Sequence, residues 1–248
     1  MEPLTLLLAF LIAFGTMFFG ALSGGVGFVL RPLLIFLGFP PVVVIGSVRS
    51  SVVISEVPSI FLLHKRKKID WKLVRFLVIP MFLGSFIAGI LVLSILKGSI
   101  ELTMGILLFI AGIILIFNKD KGLKERKLRS SKTRHIIGFF GTMVLSFVNT
   151  ITGGMGPILS SFYIANYGKT YISAAGVWKP ASYFGAGAAA IVFLIGKVID
   201  WQLFVVLVPG FMLGSYFGVH YGLKRGEKWI RNIVIVVVFA TAIKFIFF

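Results

Sequence analysis

The stretch Ile69–Leu73 reads IDWKL, and Ile199–Leu203 reads IDWQL. The first copy sits in a crowd of cations (HKRKKIDWKLVR, 64–75), whereas the second has a single lysine close by (GKVIDWQLFV, 196–205). The same local structure is therefore wanted twice, and the charge around it only once. Three more phrases recur in the same order: FGTM from Phe14 returns at Phe140, GGVG from Gly24 returns as GGMG from Gly153, and LGSF from Leu83 returns as LGSY from Leu213. The offsets run from 126 through 129 to 130. Four matches kept in register read as two homologous halves, 1–117 and 135–248, joined by a linker at 118–134.

Composition says where these halves live. Of 248 residues 58% are hydrophobic and 13% charged, and the mean hydropathy is +1.03. That balance belongs to an all-α integral membrane protein and not to a soluble domain. A bilayer core about 30 Å thick takes about 20 apolar residues per helix. Runs of that kind lie at 4–22, 42–63, 73–96, 99–117, 136–151, 171–196, 203–221 and 232–248. They predict eight long spans. The apolar stretches 26–37 and 155–166 are too short to cross alone and predict two half-helices, each following a glycine break, for eight to ten spans in all.

The formal charge of +17 does not imply a nucleic-acid partner, because no binding motif accompanies it. The cations cluster between apolar runs instead, six Lys/Arg in 64–75, eight in 118–134 and four in 222–231. By the positive-inside rule these segments face the cytoplasm of a cell-membrane protein, where they can also meet anionic lipid headgroups. The bare copy of IDW then lies outside, so the halves insert upside down relative to each other, and both termini are expected to be external. For the path to close, 136–166 must begin and end inside, as two crossings or as a hairpin that dips in and returns. No basic residue precedes the first apolar run, so a cleaved leader is not expected. The chain has no cysteine, which excludes disulfides and thiolate chemistry. A homo-oligomer is neither required nor excluded.

Interrupted helices at matching positions of inverted halves point to a transporter's binding site. The candidates are Gly24, Gly25 and Gly27 in one break and Gly153, Gly154 and Gly156 in the other, since glycine lets backbone approach a ligand and the next half-helix aims free N–H groups at an anion. Tight helix packing is the competing use of such glycines, and for Gly84, Gly214 and the GAGAAA run from Gly185 it is the better one. Ionisable residues in apolar runs cost about 2.5–3.5 kcal/mol each at a helix centre; here they are Arg31, Arg49, Glu56 and Lys179. Arg49 and Lys179 are separated by the repeat offset, and each lies about eight residues, roughly 12 Å, into its helix. Two cations near the midplane make an anion site. Glu56, seven residues after Arg49, either neutralises it or carries a coupling proton, because burial and a changing neighbour charge move a carboxyl's pKa. Asn149, Thr152 and Ser160, the last standing opposite Arg31 in the repeat, can donate hydrogen bonds to an oxyanion or merely satisfy local backbone. The three histidines fall at cytoplasmic ends. No hydrolase, zinc-protease or phosphate-loop motif is present, so neither an enzyme nor a cofactor or metal is expected.

FFGALSGGVGFVLRPLL (18–34), its second copy TGGMGPILSSFY (152–163), the basic loop after the second long helix and the paired LGS segments together resemble the TauE/SafE sulfite exporter family of bacterial and archaeal membrane proteins. The resemblance covers nearly the whole chain. It implies a small sulfur oxyanion or organosulfonate as substrate, such as sulfite, thiosulfate or sulfoacetate. From the residues alone the choice lies between a secondary transporter with alternating access, an anion channel with the same cationic midplane, and a membrane scaffold that transports nothing.

The unequal charge around the two IDW copies generates a topology test that the absence of cysteine makes direct. Single cysteines at Lys67 and Lys197 should react with an impermeant thiol reagent from opposite faces, Lys197 from outside. Labelling of both from one face would rule out the inverted arrangement.

Overall fold

The computed structural model describes residues 2–94, 123–126, 128, 131–233 and 236. These residues form helices joined by short turns. In chain order they are α1 (Pro3–Ser23), α2 (Val26–Phe36), α3 (Pro41–Ser55), α4 (Val57–Lys65), α5 (Trp71–Ser94), α6 (Lys132–Thr152), α7 (Gly156–Tyr167), α8 (Tyr171–Ile195) and α9 (Trp201–Arg225). Counting Pro41–Lys65 as one, six helices are long and apolar enough to cross a membrane. The expected spans 99–117 and most of 232–248, and most of the linker, lie outside the described residues.

The repeated IDW has a local cause. Lys67 and Lys197 both adopt left-handed backbone, φ 54° and 52°. Around each, two backbone bonds close the preceding helix in the same way: Lys68 N–H donates to Leu63 O and Lys67 N–H to His64 O, as Val198 does to Phe193 O and Lys197 to Leu194 O. This is the Schellman ending, and the aspartate that follows starts the next helix. Asp70 Oδ1 accepts from Leu73 N–H at 3.1 Å, and Asp200 Oδ1 from Leu203 N–H at 2.9 Å. Asp is thus the N-cap and Trp the first helical residue in both copies.

One expected helix is broken. The run 42–63 divides at Glu56, because Pro58 has no N–H to give to Ile54 O and its ring crowds that carbonyl. The equivalent α8 runs on for 25 residues, with Pro180 inside it.

The short segments fold as hairpins with their long neighbours. Along α6 and α7, Arg134 exchanges two 3.0 Å hydrogen bonds with Asn166, Thr142 meets Tyr163 at 3.2 Å, and Asn149 Oδ1 accepts from Met155 N–H. The pairing is antiparallel, so α6 starts and α7 ends at the same end of the bundle. That end also holds the first IDW turn, since Lys169 bridges Asp70 at 3.0 Å and Glu125 at 3.3 Å. Burial opposes the charge on Asp70, but the bonds from Lys169 and from Leu73 N–H outweigh it and hold the carboxyl below its ordinary value. The second IDW turn packs elsewhere, with Asp200 N–H on Ser47 Oγ at 2.9 Å.

Helix packing is glycine-guided. Gly210, Gly214 and Gly218 lie on the backbone carbonyls of Phe10, Phe14 and Phe18, so α9 and α1 run parallel at close approach. A second such contact sets Gly84 of α5 on Met143 O of α6, and like the first it joins a residue of 1–117 to one of 135–248. The two contacts correspond at offsets of 130 and 129. FGTM, spaced by 126, is therefore three residues out of this register, most of a helical turn, and is not a structural equivalence. At the centre the two breaks cross: Gly24 lies against Gly156, and Gly27 N–H donates to Gly153 O at 3.0 Å. Each contact maps onto the other when the two GGxG phrases are exchanged.

Because a Cβ at Gly214 would meet both Phe14 O and, at 3.0 Å, Met17 Cβ, Gly214→Val should destabilise the protein by about 1–3 kcal/mol through overpacking. Gly15, with nothing within 4 Å of an added Cβ, is the control: Gly15→Ala should be neutral or slightly stabilising. Thermal unfolding of the two purified variants in detergent checks the contrast.

Candidate functional site

Between the two breaks lies a cavity of about 60 Å³, room for a few waters or one small ion. Of the residues singled out in the sequence, Gly24, Gly25, Gly27, Gly153, Gly156, Arg31, Arg49, Glu56 and Asn149 line it, with Met17, Val48, Val52 and Phe211 among its apolar walls. Three of these glycines are indispensable as backbone: Gly24, Gly25 and Gly153 have φ of 78°, 80° and 73°, where an L side chain is strained. Gly154 lies instead against the Phe28 ring. The helices α2 and α7 begin at the breaks, so their N-terminal N–H groups lie beside the cavity.

The cations are held in three different ways. Arg31, fully buried, spends both amino groups on the end of α6: Nη1 donates to Thr150 O at 3.1 Å and to Ile151 O, and Nη2 to Thr150 O at 3.1 Å. It caps orphan carbonyls at the negative end of a helix dipole. Lys179 pairs with Glu56, and Ser59 Oγ donates to the same carboxylate oxygen at 2.5 Å. Seven-residue spacing had matched Glu56 to Arg49; the ion pair forms across helices instead, because Lys179 of α8 reaches the α3–α4 joint. Arg49 is left with one neutral partner. Its Nη2 donates to Ser85 Oγ at 3.1 Å, and its buried Nε has no partner among the described residues. Ser85 is fixed in turn by Ser146 Oγ at 2.8 Å and Thr150 Oγ1 at 3.0 Å. Among the described residues, three buried cations thus face one carboxylate.

Two expected donors do not line the cavity. Thr152 Oγ1 donates to Val148 O at 3.0 Å, and Ser160 Oγ accepts from Trp178 Nε1 at 2.9 Å. Asn149 Oδ1 is taken by Met155 N–H across the break. The sequence reading missed Ser85, Ser146, Ser59 and Ser182. A signal for Ser59 was present, since Ser47, Ser51, Ser55 and Ser59 recur every four residues and all are buried. No cluster of metal-ligating side chains occurs among the described residues.

With this geometry in hand, comparison with known proteins places the chain. The family model "Sulfite exporter TauE/SafE" matches residues 9–245. The chain belongs to the sulfite exporter TauE/SafE family. It is 25% identical to a "Probable membrane transporter protein" of Haemophilus influenzae over 98% of this chain and 94% of that one. It is 26% identical to "Probable membrane transporter protein ORF9" of Sinorhizobium sp, over 96% and 92%, and 22% identical to "Probable membrane transporter protein YfcA" of Escherichia coli K12, over 95% and 87%. No solved structure matches it significantly. It is a multi-pass membrane transporter protein, as these relatives and its six long apolar helices indicate.

The buried Glu56–Lys179 pair generates a double-mutant test. Lys179→Met strands a carboxylate in an apolar site and should cost about 3–5 kcal/mol. Combining it with Glu56→Gln should return most of that loss. Thermal stability of the parent, both single variants and the double variant gives the coupling directly; additive losses would mean that the two groups do not interact.

Proposed function

We propose that this chain is a secondary transporter that moves a small anion, of the sulfite, thiosulfate or organosulfonate class, by alternating access between two inverted halves. The observation that carries the reading is Arg49: a residue 4% exposed, bonded among the described residues to one serine hydroxyl and with a buried Nε that has no partner there, beside the cavity. An unpaired buried cation is costly, and a bound anion relieves the cost. The guanidinium edge offers two parallel N–H donors to two oxygens of one oxyanion, and the N-termini of α2 and α7 add partial positive charge beside the same space. Arg31 contributes field more than contact, because both of its amino groups are committed to α6. Lys179 joins the anion when its bond to Glu56 is released. A proton on Glu56 would release it, and this makes Glu56 the candidate for coupling transport to a proton gradient.

The family's name and the relatives' names, which speak of sulfite export and of probable membrane transport, support the substrate class and the transporter reading. The crossed breaks support alternating access over a channel, because the space between them is only about 60 Å³. The positive-inside rule makes the end carrying the first IDW turn and the linker cytoplasmic. The α6–α7 hairpin is then re-entrant from that side and α1–α2 from the opposite one, with the N-terminus external.

The test is binding and flux on purified protein. Arg49→Gln should weaken the affinity for sulfite, thiosulfate or sulfoacetate by an amount on the order of 2–5 kcal/mol, and Arg49→Lys should recover only part, since an ammonium cannot hold two oxygens in one plane. Liposomes should show saturable counterflow of the bound anion, which a channel or scaffold would not. Glu56→Gln should abolish any dependence on a pH gradient while exchange remains. Parent-like affinity of Arg49→Gln for all three anions would locate the site elsewhere.

A further inference from the structure

Ser215 Oγ is fully buried and has no hydrogen-bond partner among the described residues. A serine hydroxyl inside a helix normally bonds the carbonyl four residues back, and a buried polar group left empty needs a reason. Its repeat equivalent is Ser85, at an offset of 130, and Ser85 is crowded: it accepts from Arg49 and Thr150 and donates to Ser146, whose own hydrogen goes to Met81 O. Carried across the repeat, Ser146 and Thr150 become Met17 and Ala21 at an offset of 129. Neither has a hydrogen-bonding side chain, and both lie in the helix that packs on this face of α9, against Gly214 and Gly218. The equivalent of Arg49 is Lys179. It is the one repeat partner able to bond Ser215, and it is on Glu56 instead.

We infer that Ser215 is a second seat for Lys179, occupied when the second half takes the conformation that the first half has here. This rests on the transport reading above. With no anion bound, Lys179 stays on Glu56, because leaving a buried carboxylate for a neutral hydroxyl strands a charge. A bound anion supplies the countercharge. Lys179 then turns to it, and Ser215 orients the ammonium as Ser85 orients Arg49. The site thus holds its anion with Arg49 braced on Ser85 in one state and with Lys179 braced on Ser215 in the other. Ser215 is a positioning residue that acts in only one of the two states. Its removal therefore slows the exchange between states more than it weakens resting affinity.

The experiment compares Ser215→Ala and Ser215→Thr with the parent protein, using equilibrium binding of sulfite in detergent and counterflow of radiolabelled sulfite in liposomes. Ser215→Ala should bind within about twofold of the parent and exchange at least fivefold more slowly, whereas Ser215→Thr, which keeps the hydroxyl, should exchange within threefold of the parent. Slowing of Ser215→Ala by less than fivefold overturns the inference, as does equal slowing of both variants, which would report volume and not the hydroxyl. If Ser215→Ala is not monodisperse, Ser215→Cys, which keeps the volume and loses the strong hydrogen bond, is read by the same thresholds. Absence of saturable counterflow in the parent would overturn the transport reading itself, a result distinct from a Ser215 variant that behaves like an active parent.

Discussion

Two broken helices cross where their backbones touch, and the arrangement of the rest follows from that contact. Gly24 rests on Gly156, and Gly27 N–H reaches Gly153 O. A methyl group at Gly24, Gly27 or Gly156 would meet main chain, which has no rotamer to escape into, and one at Gly153 would meet the Arg31 guanidinium. The crossing brings the end of α6 within reach of Arg31, whose guanidinium then ties the first half to the second through Thr150 O and Ile151 O. It also leaves a space too small for side chains and bounded by helix starts. Arg49 and Glu56 reach that space from α3 and from the joint that follows it.

Polar groups in the core keep to the rule that nothing is left dry without a partner, with few exceptions. Ser51 and Ser55 bond carbonyls one turn back at 2.7 Å each, and Ser59 bonds Glu56 O at 2.8 Å. Within hydrocarbon this local bonding lets serine serve as a small residue that permits close helix approach without an unpaired hydroxyl. Against that background the unsatisfied atoms stand out, and Arg31 Nε, Arg49 Nε and Ser215 Oγ are among the few. All three belong to side chains of the two halves that repeat logic relates to the central cations.

Much of this was legible in the sequence because it is local. IDW encodes a helix stop and a restart, GGxG encodes a break, and hydropathy marks the long helices; each signal lies within a few residues of its effect. The partner of Glu56 was not legible, because spacing along one helix fixes a face and not which neighbour that face meets. Lys179 is 123 residues away, and only packing brings it there. The break at Glu56 was hidden for a different reason: Pro58 is tolerated at the start of a helix as well as disruptive within one, and an apolar run gives no hint of which applies. FGTM misled because phenylalanine and glycine are common in such helices, so a four-letter match need not share a register. The buried serines carry no signal singly, and only their four-residue spacing marks a face.

The two long helices that the repeated phrases relate differ at one joint. In the first half the long helix is two pieces, α3 and α4, hinged at Glu56; in the second, α8 is a single rod. The discontinuity falls at the residue that carries the central countercharge. Flexing at the joint would therefore also move the carboxylate relative to Lys179, its ion-pair partner on α8. Backbone continuity and charge balance thus share one address, Glu56.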